Sequence, residues 1–192
     1  MTSDAGPTSR LRLTLAIACA VIVIDQITKH WAVNTLTGVP PKPVFWTLQW
    51  NLTFNSGMAF SKGEGMGAII GVIALVVVVV ILSGMRKNTN RVVAVAAGFV
   101  VGGAIGNLVD RLFRDDGWLQ GSVVDFIDFQ WFPIFNVADM GVNIGGVLFV
   151  LWSLFSSHEH PDDHPADEAG DEAVSPSDSD SAAGNVAGEV SS

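Results

Sequence analysis

Two carboxylates in this chain have no cation close to them in sequence. One is Asp125, in Gly121-Ser-Val-Val-Asp125-Phe126. The other is Asp139, in Phe135-Asn136-Val-Ala138-Asp139. Two carboxyl groups held together cannot both ionise easily, so one keeps a proton. The ionised member can activate water as a general base while the protonated member polarises a carbonyl. That is the chemistry of an aspartic protease. Other polar residues recur at helical spacing. Asp25 and Lys29 are i,i+4; Asn107, Asp110 and Arg111 are i, i+3, i+4; Asn136, Asp139 and Asn143 are i, i+3, i+7. For Asp25–Lys29 and Asp110–Arg111 the plainer reading is ion pairing between or along helices, because each acid has a base within reach.

These residues must be positioned by elements that are mostly apolar. The chain has 192 residues, 49% hydrophobic and 15% charged. Four segments are long enough to cross ~30 Å of hydrocarbon: about 13–33, 66–84, 92–109 and 134–155. The second, with its Leu-Val-Val-Val-Val-Val-Ile-Leu run, carries no charge at all. An ionisable group inside such a span costs roughly 2.5–3.5 kcal/mol at the helix centre, so it is expected to face a protein interior or a water-filled cavity. The expected fold is therefore an all-α membrane protein of four transmembrane helices and two outward-facing loops. The first of those loops is expected to carry a small β-like interfacial platform.

Charge fixes an expected orientation. Arg10 and Arg12 precede the first span, and Arg86, Lys87 and Arg91 lie between the second and third. Short cytoplasmic loops carry such an excess, which puts both termini inside and residues 34–65 and 110–133 outside. Lys42, Lys62, Arg111 and Arg114 run against the rule. The polar groups of spans one, three and four then fall toward the outer end. Trp31, Trp46, Trp50, Trp118 and Trp131 lie near outer boundaries, where indole is favoured. Part of the loop Val39–Lys62 is expected to form a platform or lid over the site.

The organisation expected is a cytoplasmic N-terminus (1–11), a membrane domain (12–156) and an acidic tail (157–192). The formal net charge of −9 belongs to that tail, which holds ten of the 19 acids and no Lys or Arg. Its composition cannot bury enough apolar surface to fold alone, so it is expected to be disordered. His158, His160 and His164 lie among those acids; a solvated tail is favoured over a metal site. The remaining 156 residues hold nine acids and ten bases. No basic stripe is available for nucleic acid. The single cysteine, Cys19, excludes an intrachain disulfide framework and a Cys-cluster zinc site, and is expected as a small buried apolar residue. A cleaved secretory signal is disfavoured, because Asp25-Gln-Ile-Thr-Lys29 follows the apolar stretch without a small-x-small site. Gly102-Gly103-Ala104-Ile105-Gly106 lies in a predicted membrane helix, where small residues serve close packing.

From the residues alone two other functions stay open. A proton-coupled carrier also uses membrane carboxylates, though it should show inverted repeats or a midplane site. A non-enzymatic scaffold would leave Asp125 and Asp139 without a role. A presenilin-like protease shares the chemistry but not the Gly-x-Gly-Asp motif.

The ordered motifs resemble one family closely, the prolipoprotein (type II) signal peptidases. The resemblance rests on Asp25-Gln-Ile-Thr-Lys29, Asn55-Ser-Gly57-Met-Ala59-Phe60, Gly102 to Arg111, Gly121 to Phe126 and Phe135 to Asp139, in family order over residues 12–155. It implies that Asp125 and Asp139 are catalytic. It implies that Asn55, Gly57, Asn107, Arg111 and Asn136 bind or orient the substrate or the dyad, and that Asp25, Lys29 and Asp110 are architectural. It implies a bacterial cell-membrane protein acting on diacylglyceryl-modified lipoprotein precursors, cleaved just before the lipidated cysteine. No metal or organic cofactor and no nucleic acid is expected. Membrane lipids are expected partners of a monomer.

Overall fold

The computed structural model describes residues 7–57, 66–114 and 118–156. Met58, Ala59 and Phe60 of the first-loop motif, Lys62 and the acidic tail with its three histidines lie outside the described residues, as does the expectation of disorder there.

Four helices carry the fold: α1 (Pro7–Leu36), α2 (Met66–Met85), α3 (Arg91–Phe113) and α4 (Val137–Ser156). All four are long and apolar enough to cross a membrane. Each contains one of the four expected spans, except that the fourth begins three residues late. The reason is local: Asn136 is not in the helix but caps it. Asn136 Oδ1 accepts from Asp139 N at 3.0 Å, and Asp139 Oδ2 accepts from Asn136 N at 3.2 Å. This reciprocal pair is a capping box with Asp in the usual Glu place. Asn90 starts α3 similarly, its side-chain oxygen accepting from Val92 N and Val93 N.

Packing is asymmetric. α3 sits at the centre between α1 and α4, and is the most buried of the four spans at 44%. Its glycines allow this. A Cβ on Gly102 would meet Val21 and the backbone of Ala18 in α1, and one on Gly103 would meet the backbone of Ala138 in α4. Small residues let membrane helices approach this closely. α2 leaves Val72, Ile73, Val76, Val79 and Val80 exposed. An exposed apolar face with all backbone groups paired within the helix is the state suited to lipid. Cys19 is exposed on α1 rather than buried, correcting the expectation. Lipid solvates a thiol-bearing helix face as readily as a core does, so composition could not separate the two.

Both long loops contribute to one antiparallel sheet, ordered β1 (Lys42–Phe45), β2 (Leu48–Asn55), β3 (Val123–Asp128). The platform expected of the first loop is thus only two-thirds of the sheet. The third strand comes from the second loop, for which no strand is expected from the sequence. Thr53 of β2 stands opposite Asp125 of β3, and Trp50 opposite Ile127. Asp128 ties the edge by accepting from Gln49 Nε2 and Asn51 Nδ2 at 2.7 and 2.9 Å. The sheet docks on the last turns of α1: Ala32 and Leu36 form one buried cluster with Val124 and Phe126. Trp31 meets Trp50 and Phe126 edge-on at 5.5 and 6.0 Å. Trp31 and Trp50 therefore join sheet to helix, whereas Trp46, Trp118 and Trp131 stand exposed.

Candidate active site

Asp125 lies mid-strand in β3 and Asp139 in the first turn of α4, so sheet and membrane helix each supply one carboxylate. Asn136 joins them. Its Nδ2 donates to Asp125 Oδ1 at 2.6 Å while its backbone N donates to Asp139. Asn55, the last residue of β2, donates from Nδ2 to Asp125 Oδ2 at 3.0 Å. Asn107 donates from Nδ2 to Asp139 Oδ1 at 2.8 Å. The orientation of the Asn107 amide follows from its other partner. Lys29 Nζ can only donate, and it donates to Asn107 Oδ1 at 2.8 Å, so the amide NH2 must face Asp139. Gly57 holds Asn55 in turn, donating its backbone N to Asn55 Oδ1 at 3.0 Å. Gly57 has φ +92°, and a Cβ there would meet the backbone of Gly67 at 2.9 Å, so only glycine fits.

Every direct hydrogen bond to the two carboxylates thus comes from a neutral group among the described residues. Asp125 is 2% exposed. Burial, with a smaller push from the Asp139 carboxylate, raises its pKa to about 6 against the opposing hydrogen bonds from Asn55 and Asn136.

Both carboxylates border one cavity of about 200 Å³, together with Asn55, Asn107 and Arg111. Asp139 also borders a wider, mostly apolar cleft of about 490 Å³ beside Phe132, Phe135, Met140 and Asn143. Asp125 borders a third, of about 290 Å³, with Thr53 and Ser56. Asn143 is spent locally, donating to the backbone oxygen of Asp139. Arg111 is 6% exposed, and its Nη1 is buried without a hydrogen-bond partner among the described residues. The expected pairing of Asp110 with Arg111 is not formed. Adjacent residues of a helix point apart, whereas i and i+4 align. Accordingly Asp110 Oδ1 pairs with Arg114 Nε at 2.7 Å.

Beneath the dyad lies a second polar group of opposite character. Lys29 Nζ bridges Asp25 Oδ2 and Asp110 Oδ2, each at 2.9 Å, with all three side chains at most 1% exposed. Each acid uses a further oxygen contact on backbone. Asp25 Oδ1 accepts from Ala138 N at 2.9 Å, and Asp110 Oδ2 accepts from Val124 N at 3.2 Å. Ala138 and Val124 are the residues immediately before Asp139 and Asp125. The ion-paired group therefore holds the backbone beside each dyad member. Gln26, which the motif reading passed over, bonds Asp25, Asp110 and the Gly106 carbonyl. Of the residues singled out in sequence, all ten site positions fall within this connected network or its cavity.

Comparison with known proteins points one way. The family model described as signal peptidase (SPase) II matches residues 17–155. The lipoprotein signal peptidase of Mycobacterium avium is 45% identical over 150 residues, covering 78% of this chain and 82% of that protein. The lipoprotein signal peptidase of Rhodococcus jostii is 40% identical over 149 residues, covering 76% and 74%. Among solved structures, a bacterial membrane enzyme determined in meso at 2.3 Å resolution superposes with a TM-score of 0.66 at 27% identity, covering 79% of this chain and 93% of that one. A second, at 1.9 Å resolution, gives 0.65 at 29% identity, covering 73% and 92%.

Proposed function

This chain belongs to the signal peptidase II family, and on that premise we propose that Asp125 and Asp139 form its catalytic dyad. The family is one of proteases that process lipoprotein precursors, and the chain is a multi-pass bacterial membrane protein. On the proposed reading the substrate is a precursor carrying diacylglyceryl on its lipobox cysteine, cut at the bond just before that cysteine. The observation that carries it is the carboxylate pair bridged by Asn136, Asp125 buried and Asp139 half-buried, bordering one cavity and bonded directly only by neutral groups among the described residues.

The dyad shares a proton at rest. Its ionised member takes a proton from water, and that water attacks the scissile carbonyl carbon. The protonated member gives its proton to the carbonyl oxygen. The tetrahedral intermediate then collapses as the amine leaves with a proton from the dyad. Asn55, Asn107 and Asn136 fix the carboxylate planes, and the free Nη1 of Arg111 is available to a peptide carbonyl.

The charge distribution supports an orientation. Arg10, Arg12, Arg86, Lys87 and Arg91 gather at one end of the bundle, which favours that end and both termini in the cytoplasm and the dyad at the outer boundary. There water reaches the site while the substrate's acyl chains stay in the bilayer. The hairpin tip, where Trp46 has φ +51° and 86% exposure, acts as an interfacial platform. Replacing Trp46 with Ala is expected to weaken cleavage in bilayers more than in detergent; equal rates in both would remove that role.

The decisive experiment is cleavage of a diacylglyceryl-modified precursor by purified protein, with a chelator present throughout. Asp125→Asn and Asp139→Asn are each expected to lose on the order of 10³-fold or more in rate while keeping the fold. Near-full activity in either variant refutes the dyad.

A further inference from the structure

We propose that the end of the bundle remote from the dyad holds a binding site for an anionic glycerophospholipid, distinct from the site of proteolysis. The site has two parts. The first is an apolar crevice of about 340 Å³ between α2, α3 and α4, bordered among others by Gly84, Met85, Ala97, Gly146 and Phe149. That volume lies within the ~300–1,000 Å³ usual for small-molecule sites. No polar side chain lines it. It begins at the end of α2 and the start of α3; along α3, Arg91 is 16 residues before Asn107, or ~24 Å of helix. The crevice shares no bordering residue with any of the three cavities that border the aspartates.

The second part is the rim. α2 ends at Met85, and Arg86 and Lys87 follow it directly; α3 begins at Arg91. All three side chains are exposed. Arg12 is exposed on the neighbouring end of α1, and Arg10 Nε bonds the Thr89 carbonyl at 2.9 Å, tying that helix to the same loop. Residues 7–24, 66–109 and 140–156 contain no Asp or Glu, so no acid in these segments neutralises the rim. The cations therefore complement a phosphate, and the crevice beside them complements an acyl chain. A lipid supplies both on one molecule, with the spacing of a headgroup over its tail. Clusters of Lys and Arg beside a membrane helix attract anionic headgroups. The crevice adds what a simple charged surface lacks, a place for the chain.

Two glycines make the test clean. A Cβ on Gly84 or on Gly146 would meet nothing within 4 Å, yet both border the crevice. Gly84→Leu and Gly146→Leu thus fill it without pressing on backbone. The experiment is native mass spectrometry of the full chain in detergent, titrated with phosphatidylglycerol or phosphatidylcholine of identical acyl chains. Every variant keeps residues 157–192, so their ten acids act equally on each. Wild type is expected to retain one phosphatidylglycerol at least ten-fold more tightly than phosphatidylcholine. Arg86→Gln/Lys87→Gln/Arg91→Gln is expected to erase the preference, and Gly84→Leu/Gly146→Leu to weaken both lipids at least ten-fold. Equal binding of the two lipids by wild type overturns the proposal. So does unchanged phosphatidylglycerol binding in the crevice-filled variant, which would leave only a charged surface. A crevice-filled variant that alters self-association but not lipid retention would assign the crevice to a second copy of the chain, and would equally overturn it. Retained precursor cleavage in each variant shows that it is folded and keeps this question apart from that of the dyad.

Discussion

Two pairs of carboxylates, all buried but the half-buried Asp139, are partnered in opposite ways. Asp25 and Asp110 share Lys29, and Asp110 also holds Arg114. Asp125 and Asp139 are bonded directly only by asparagines and backbone among the described residues. A carboxylate beside a fixed cation keeps its charge, and removing the cation leaves that charge uncompensated. A carboxylate bonded by amides is desolvated without being neutralised, so its proton becomes exchangeable. The first arrangement suits a strut and the second a proton-transfer site. They meet at Asn107, which accepts a hydrogen bond from Lys29 on one side and donates one to Asp139 on the other.

The sharpest way to break this contrast is to remove its cation. Lys29→Met leaves Asp25 without its ion pair in a dry site, and should cost about 3–5 kcal/mol of stability. Thermal unfolding in detergent reads this directly. Adding Asp25→Asn should restore part of the loss; if it restores none, the Lys29 pairings are not what stabilises the bundle. Next comes the dyad's own dependence on pH. The folded pKa of Asp125 lies above its unfolded value of about 3.8, at about 6. The native state therefore favours the protonated acid. That contribution is full below the unfolded pKa and is lost as pH rises through about 6. Asp125→Asn should thus gain stability over wild type as pH rises from about 4 through 6 and level off above, by on the order of 3 kcal/mol at most. An equal gap at pH 4 and pH 8 would count against the shift. The hinge between the two regions should respond more modestly. Asn107→Ala removes one hydrogen bond from each, and a loss of about 1–3 kcal/mol, or roughly 5- to 150-fold in rate, is expected. Asn107→Asp should be worse than Ala, since it sets a third carboxylate beside Asp139. The finest effect belongs to Asn55, whose hydrogen bond holds the Asp125 pKa down. Asn55→Ala should move the limb near pH 6 in kcat/KM upward without abolishing cleavage.

How much of this was visible in the chain depends on the range of the interaction. Four spans follow from runs of apolar residues; three helices contain theirs whole and the fourth starts three residues late. The convergence of Asp25, Asn107 and Asp139 follows from helical spacing at the ends of three spans. The capping pair is present as Asn136-Val-Ala-Asp139, a spacing that marks a helix start, although i, i+3, i+7 spacing with Asn143 equally suits a stripe within a helix. Asp110 was matched with the wrong arginine, and the i,i+4 rule alone points to Arg114. The pairing of β3 with β2 was not legible, because it joins residues some 70 positions apart. No local pattern encodes such a partner, although Val123, Val124, Phe126 and Ile127 have the character of a buried strand. Likewise, nothing in the sequence says that Val124 N and Ala138 N are held by Asp110 and Asp25.

The length of α1 has a mechanical consequence. At 30 residues it extends ~45 Å, whereas α2 and α4, with 20 residues each, extend ~30 Å, about one hydrocarbon thickness. The surplus turns carry Ala32 and Leu36, the anchor of the sheet. The position of Asp125 relative to the bundle is therefore set by a rigid rod rather than by a loop. On the proposed function, such a rod would act as a depth gauge, favouring the bond that a membrane-embedded substrate presents at one level.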